Sequence, residues 1–239
     1  MRKASFRMAT WTLWIAGAWF VGAGQANAQT AHAAYPAMAP LDQYLMADQS
    51  AEIALARSGA PPTVAGGAEV MVLGRDGYTT AVKGTNGFLC IVERGWAVET
   101  TNPQFWNPNI RSPLCFNQAA AKTFAPIYLM KTRLVLEGKT REEVLAAMNA
   151  AFASGELPAL APGTECYMLS KQQYINDAVK NWYPHVMFYV AGDTTAKSWG
   201  ANMDGSPMIA GSDPQERVTV MMVRVTQWSD GTPGPSIKY

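Results

Sequence analysis

The order in which strand-like and helix-like segments follow one another limits the folds that this chain can adopt. Three short apolar segments come first: "EVMVLG", "YTTAVKG" and "FLCIVERGW". Asp76-Gly77 and Asn86-Gly87 separate them, and such pairs favour tight turns because glycine accepts a positive φ. The pattern predicts a three-stranded meander over 69–96, whose third strand is apolar on both faces and therefore central.

Helical patterns precede and follow these strands. We expect a helix over 41–57 and another over 117–136, in which Pro126 either kinks the helix or begins a second one. A capping box, Thr140 with Glu143, predicts a helix that ends near residue 153. A second such pair, Ser170 with Gln173, predicts a short helix that ends near Asn181. The proline-rich segment 100–115 is expected to be an irregular connection.

Strand patterns return in the last third of the chain. "HVMFYV" begins at His185, and residues 217–228 alternate with a period of two. Residues 191–216 between them are polar, and loops longer than about 12–15 residues are often functional or disordered. Strands, then helices, then strands favour an α+β fold, with a mostly antiparallel sheet and the helical middle segment packed on one face.

The first residues predict export. Arg2, Lys3 and Arg7 precede an apolar run, and Ala26-Asn27-Ala28 resembles a cleavage site. The run falls short of the roughly 20 apolar residues of a spanning helix, so a signal peptide over 1–28 is favoured over a membrane anchor. A flexible tail over 29–40 and a single α+β domain over 41–239 should follow, with a split near residue 160 as the alternative. The expected location is periplasmic or secreted.

Charge excludes one class of partner. The chain carries 19 basic and 18 acidic residues, and three of the basic ones lie in the predicted signal peptide. The remaining chain has no excess of positive charge with which to bind phosphates. We therefore expect no nucleic-acid partner. Because no run after residue 28 is long and apolar enough to span a bilayer, we also expect no membrane insertion after signal cleavage. A small molecule is the expected partner, and the sequence predicts no oligomeric state.

Three cysteines, Cys90, Cys115 and Cys166, suit one disulfide and one buried thiol in an oxidising compartment. Sequence leaves three pairings open. We favour Cys115–Cys166, because both lie at the edges of patterned segments, whereas Cys90 lies within an apolar strand where a free cysteine acts as a small hydrophobe.

Few catalytic patterns are present. The chain has 2 histidines, His32 in the predicted tail and His185, too few for a zinc enzyme with several histidine ligands. The chain contains no P-loop, G-x-G-x-x-G, G-x-S-x-G or CxxC pattern. We expect no cofactor and no metal. Two metal alternatives stay open: zinc on the three cysteines with His185, and copper on His185 with Met187, which share a strand face.

The long polar segment offers the best candidate site. His185 precedes it, and two tryptophans with short polar side chains are typical of a small-ligand platform, although a surface loop plugged by Trp199 is the simpler interpretation. The candidate ligand-binding residues are His185, Trp199, Asn202, Asp204, Trp228 and Asp230.

Five segments, "GFLCIVERGW", "CYMLS", "HVMFYV", "SWGAN" and "WSDGTP", resemble an uncharacterised family of bacterial exported proteins with no assigned activity. The resemblance implies export and transfers no catalytic residue. We therefore expect a non-catalytic ligand-binding or accessory protein. The alternative is a hydrolase of unrecognised type that uses His185 near the 191–216 loop, with His185 in a cleft and hydrogen bonded to a carboxylate or hydroxyl.

Overall fold

The computed structural model describes residues 35–192, 196–203, 206–213 and 217–236. The predicted signal peptide over 1–28 lies outside these residues. The described strands form an eight-stranded sheet in the order β2-β1-β3-β4-β5-β6-β8-β7. The strands are β1 Glu69–Gly74, β2 Gly77–Val82, β3 Leu89–Glu93, β4 Ser112–Phe116, β5 Glu165–Met168, β6 His185–Ala191, β7 Met208–Asp213 and β8 Val218–Arg224. The helices are α1 Gln49–Arg57, α2 Pro62–Ala65, α3 Gln118–Thr123, α4 Ala125–Leu136, α5 Arg141–Ser154 and α6 Ala196–Trp199.

The predicted α+β class is confirmed. Every pair of neighbouring strands is antiparallel except β1 and β3, which are parallel. The middle helices α3, α4 and α5 pack on one face of the sheet, here called the helical face, where their apolar residues meet Ile91, Leu114 and Phe116. Helix α1 packs on the opposite face, a position that the sequence pattern did not predict.

The predicted meander is half right. β1 and β2 form the expected hairpin, and Gly77 has the positive φ of 116° that its turn requires. β3, however, does not pair with β2. Segment 83–88 runs back toward the start of β1, because Asn86 Nδ2 donates to Val64 O at 2.7 Å and Glu69 N donates to Phe88 O at 2.8 Å. β3 therefore lies beside β1 and parallel to it.

The prediction that 100–115 is an irregular connection is wrong at its end, because β4 begins at Ser112. Pro113 masked this strand, since a proline cannot donate to a sheet ladder. The structure accommodates it because β5 pairs only with Cys115 and Phe116, so Pro113 lies beyond that ladder. β4 thereby becomes a fully buried central strand.

The helices of the middle segment follow their local signals. Asn117 caps α3 by accepting a hydrogen bond from Ala120 N, and Pro126 lies in the first turn of α4, so the predicted second helix is the alternative that occurs. The capping box is confirmed: Thr140 Oγ1 accepts from Glu143 N, and the Glu143 side chain accepts from Thr140 N. Gly155, with a φ of 78°, ends α5.

The predicted Cys115–Cys166 disulfide is wrong, because the disulfide joins Cys90 to Cys115 and Cys166 is free and buried. The register explains the pairing. Cys90 is directly opposite Cys115 on β3 and β4, so both side chains lie on the α1 face. Cys166 is opposite Phe116 and lies on the helical face, where it cannot reach Cys115.

In the described part of the chain, no helix has the length and apolar character needed to cross a membrane.

Candidate functional site

A cavity of about 520 Å³ lies against the helical face of the sheet. Its floor is formed by β5, β6, β8 and β7, the last residues of β3 and the first of β4 border it, and α4 flanks it. Segments 97–99 and 175–182 supply further walls. The volume lies within the roughly 300–1,000 Å³ typical of small-molecule sites. The cavity exists because the middle helices cover the centre of the sheet and leave part of its helical face open on the β6, β8 and β7 side.

Methionines dominate the floor of the cavity. Met187 on β6 is opposite Met222 on β8, and Met222 is opposite Met208 on β7, so three thioethers form a row across three strands. Met168 on β5, opposite His185, adds a fourth. Because methionine is unbranched and polarizable, such a floor can adjust to apolar groups of different shape.

Tyr189 marks the boundary between this floor and the packed core. Its ring stacks on Phe124 with centroids 3.8 Å apart, and its hydroxyl lies 3.1 Å from Cys166 Sγ. Burial raises the pKa of the Cys166 thiol well above its usual value, so at neutral pH it is protonated. Cys166 therefore belongs to the core beside the cavity and is not a nucleophile.

Segment 175–182 forms the wall that covers one side of the cavity. The capping-box prediction is wrong here, because residues 170–181 form turns and no helix. Gln173 is buried, and its Nε2 donates to Asn181 Oδ1 at 2.7 Å and to Trp182 O at 2.8 Å instead of reaching back to Ser170. Asn176 Oδ1 accepts from Ala178 N and Val179 N, both at 2.9 Å. The wall is thus a fixed, hydrogen-bonded loop.

The end of this wall is held against the sheet by aromatic contacts. Trp182 meets the His185 ring edge to face at 4.9 Å, and the Arg224 guanidinium lies 5.1 Å from the Trp182 ring and 4.4 Å from the Tyr183 ring. Arg224 Nη2 also donates to Met208 Sδ at 3.3 Å. These contacts connect the wall to β8 and β7 and so fix the width of the cavity there.

His185 is the predicted site residue that lines this cavity. It is 2% exposed, and its Nδ1 lies 2.6 Å from Tyr183 O, so the ring donates to that carbonyl. Burial, with a smaller effect of the Arg224 charge, lowers the pKa of His185 to about 4. The hydrolase alternative requires a carboxylate or hydroxyl hydrogen bonded to the His185 ring. Within the described residues, neither group is hydrogen bonded to it. A neutral imidazole with this pKa is a weak base at pH 7.

Charged side chains lie at the opposite side of the cavity. Glu93, Glu99 and Lys131 contribute to its lining, and Lys131 Nζ donates to Val98 O at 2.9 Å. Arg94 also contributes, but its guanidinium is fully buried: it donates to Glu52 Oε1 at 2.8 Å and to Tyr44 O at 2.7 Å. Arg94 therefore connects α1 to the edge of the cavity and is already matched by a carboxylate.

Two tyrosines extend this polar network. Tyr128 OH accepts from Arg94 N at 2.7 Å and lies 3.0 Å from Tyr78 OH, which donates to Val92 O at 2.6 Å. Burial raises the pKa of Tyr78 to about 12 and the pKa of Tyr128 well above its usual value. Both phenols are therefore protonated at any physiological pH and serve as fixed hydrogen-bonding groups.

A second cavity of about 210 Å³ adjoins the first one. The two share Val98, Ile175 and Asn176, and the smaller cavity is further lined by Asn102 and Gln104. No local sequence pattern identifies these residues, because they come from two connections that lie far apart in the chain. The cavity depends on how the 97–104 and 175–182 segments meet, a long-range feature that no local pattern encodes.

The other predicted site residues that the structure describes do not line the cavity. Trp199 is 44% exposed, so it does not plug its own loop. Asn202, with a φ of 61°, accepts from Ile209 N at 2.7 Å through Oδ1 and stabilises the turn before β7. The 191–216 segment is accordingly not one irregular loop, because α6 and β7 lie within it. Asp204 lies outside the described residues.

Trp228 and Asp230 belong to the turn region that follows the end of β8 in the chain. Trp228 is buried, and Trp228 N donates to Thr232 O at 2.9 Å. Asp230 accepts from Thr232 Oγ1 at 2.6 Å, from Lys171 Nζ at 2.9 Å and from Thr232 N at 3.0 Å, and these hydrogen bonds lower the pKa of its carboxyl. Their contacts fix the turn, and their predicted role in ligand binding stays a prediction.

Metal binding finds little support in the described residues. The disulfide takes Cys90 and Cys115 out of the zinc set of three cysteines and His185. Among the described residues, no group of three or more histidine, cysteine, aspartate or glutamate side chains could hold a metal ion. His185 and Met187 do face the same cavity, as the copper alternative requires.

Comparison with protein-family models, with curated proteins and with solved structures finds no match to this chain. The function must therefore be argued from the cavity itself.

Proposed function

We propose that this protein is an exported, non-catalytic binding protein for a small, mainly apolar molecule that occupies the 520 Å³ cavity. One observation carries the proposal: a cavity of ligand size whose floor is a row of methionines, with a few polar groups at one side. Small-molecule sites combine apolar walls with a small number of fixed polar groups in this way.

Export is supported by two features. The first residues have the pattern of a signal peptide. The Cys90–Cys115 disulfide is of the kind that persists in oxidising compartments, whereas cytosolic thiols are kept reduced. We propose a periplasmic or secreted location on these grounds.

The hydrolase alternative lacks a comparable observation. Its general base would be His185, but burial holds the pKa of this side chain at about 4, and its Nδ1 is used by the Tyr183 carbonyl. A general base works best with a pKa near the working pH. We therefore favour a ligand wall as the role of His185.

The test is the binding of N-phenyl-1-naphthylamine, an uncharged apolar dye, followed by its fluorescence. Met222→Trp fills the cavity from its floor, whereas Met221→Trp places the same bulk on the opposite face of β8, because successive residues of a strand point to opposite faces. We expect saturable binding by the native chain, a loss of about tenfold or more in affinity in Met222→Trp, and little change in Met221→Trp. Circular dichroism should show that both variants fold.

Absence of saturable binding by the native chain would overturn the proposal. Equal losses in the two tryptophan variants would overturn it as well, because the dye would then not distinguish the cavity from the opposite face.

A further inference from the structure

We infer that the ligand is an amphiphile with an uncharged, acceptor-rich head group, because two oriented amide groups, Gln104 and Asn176, line the small cavity that adjoins the apolar one. The nitrogen of the third amide there, Asn102 Nδ2, already donates to Glu99 Oε2 at 3.3 Å. This inference rests on the proposed binding function and adds the chemical class of the ligand. A glycerol ester or a fatty amide alcohol has the required chemistry: one apolar chain, and carbonyl or hydroxyl oxygens that accept hydrogen bonds.

The two cavities are arranged as a chain site and a head site. They share Val98, Ile175 and Asn176 as lining residues, so a ligand in the large cavity lies directly beside the small one. The large cavity provides the methionine floor, and the small cavity, of about 210 Å³, has room for a head group of a few heavy atoms. An apolar chain in the first cavity would place its polar end at the amides.

The hydrogen bonds around each amide show which of its atoms can serve a ligand. Asn176 Oδ1 accepts from two backbone N–H groups, those of Ala178 and Val179. Gln104 Oε1 accepts from Asn107 Nδ2 at 2.6 Å and from Asp177 N at 3.4 Å. Both oxygens are thus occupied, and this fixes the orientation of each amide. Each residue offers a ligand its nitrogen, which is a donor, so the head group must bring acceptors.

The charges around the cavities favour an uncharged head. The lining of the large cavity has two carboxylates, Glu93 and Glu99, and two cations, Arg94 and Lys131. Arg94 is already paired with Glu52, and Lys131 donates to the Val98 carbonyl. Two carboxylates and one cation, Lys131, then remain, so the lining has no surplus cation for an anionic head. A cationic head is disfavoured at the small cavity, because the amide nitrogens there are donors.

Three ligands with the same chain length test the inference: 1-decanoylglycerol, decanoate and decyltrimethylammonium, each titrated by calorimetry below its micelle concentration. We expect 1-decanoylglycerol to bind about tenfold more tightly than either charged ligand. Equal affinities would overturn the head site, and so would a preference for the anion or the cation. In these cases continued binding of N-phenyl-1-naphthylamine would leave the proposed function standing, whereas loss of all binding would overturn both.

An isosteric variant sharpens the test. Asn176→Asp keeps the oxygen that accepts from Ala178 N and Val179 N but replaces the donor nitrogen by a second acceptor. We expect the affinity for 1-decanoylglycerol to fall about tenfold and the affinity for decyltrimethylammonium to rise, with dye binding unchanged. Asn149→Asp, on the exposed surface of α5, adds the same charge away from both cavities and should change neither affinity. An unchanged 1-decanoylglycerol affinity in Asn176→Asp would contradict the inference.

Discussion

The two ends of the sheet differ in how they are covered. Around β1, β3 and β4, α1 and the disulfide pack on one face while α3, α4 and α5 pack on the other, and β4 is buried along its whole length. Around β6, β8 and β7, most described side chains are only partly buried, and the helical face opens onto the cavity. One sheet thus combines a rigid, doubly covered half with a half that has room for a ligand.

The stability of the fold should therefore depend mainly on the covered strands, and the proposed ligand binding mainly on the open ones. The covered half contains the charged groups whose burial is costly, above all Glu52 and Arg94, together with the covalent link between β3 and β4. The open half contains methionines, which tolerate changes of packing. Substitutions should therefore affect the free energy of unfolding in the first half and ligand affinity in the second.

The largest effect on stability is expected from Glu52→Ala. It leaves the buried Arg94 guanidinium without its carboxylate, and breaking a buried pair in this way costs about 3–5 kcal/mol. Asp42→Ala is the matched control, because Asp42 pairs with Arg75 on the exposed surface and should contribute no more than about 1 kcal/mol. Urea unfolding of both variants measures the difference. Similar losses in the two would refute a special role for the buried pair.

Loss of the disulfide should have the next largest effect on the free energy of unfolding. It closes a loop with a sequence separation of 25, for which the chain-entropy model gives about 3.5 kcal/mol. Reductant should therefore lower the free energy of unfolding of the native chain but not of the double variant Cys90→Ala/Cys115→Ala. A thiol titration of the denatured, unreduced protein should find one reactive thiol, that of Cys166. Three thiols would show that the bond does not form.

His185 should make stability depend on pH. Burial lowers the pKa of the folded side chain from 6.5 to about 4, so between these values the unfolded chain binds a proton that the folded chain does not. This contribution to stability is complete above pH 6.5 and is lost as the pH falls to 4, by an amount on the order of 3 kcal/mol. His185→Asn retains a donor for the Tyr183 carbonyl and cannot titrate, so its unfolding free energy should fall less over this range. Parallel pH curves for the two proteins would contradict the assignment.

The smallest effect is expected in the open half. Met222→Ala removes a side chain that already borders empty space and should cost about 1 kcal/mol or less, whereas Met148→Ala in the covered core should cost about 2–5 kcal/mol. Thermal unfolding of these two methionine variants compares the halves directly. A larger loss from Met222→Ala would mean that the cavity floor is packed as tightly as the core.

Local signals in the sequence predicted local structure well. The capping box of α5 and the β1–β2 hairpin depend on residues within a few positions of one another, and both occur. The α+β class also followed from the order of segments. In each case the deciding contacts lie close together in the chain, so the pattern contains the information.

The remaining features depend on long-range register. The antiparallel register of β3 and β4 places Cys90 opposite Cys115, and Pro113 concealed the strand β4 on which Cys115 lies. The wall at 170–181 resembled a capped helix, but Gln173 bonds across the loop to Asn181 and Trp182. Much of the cavity lining comes from segments whose structure was predicted wrongly. Of the six candidate ligand-binding residues, His185 is the one that the structure shows in this lining.

Methionine methyl NMR can show directly whether a ligand binds in the large cavity on the helical face. The protein, labelled with [methyl-13C]methionine, is titrated with 1-decanoylglycerol, and methionines in both halves of the molecule report on binding. If the cavity is the binding site, the signals of Met168, Met187, Met208 and Met222 shift, while those of Met221 on the opposite face and Met148 in the covered core stay in place. Shifts at Met221 without shifts at Met187 and Met222, or no shifts at saturating ligand, would contradict the account.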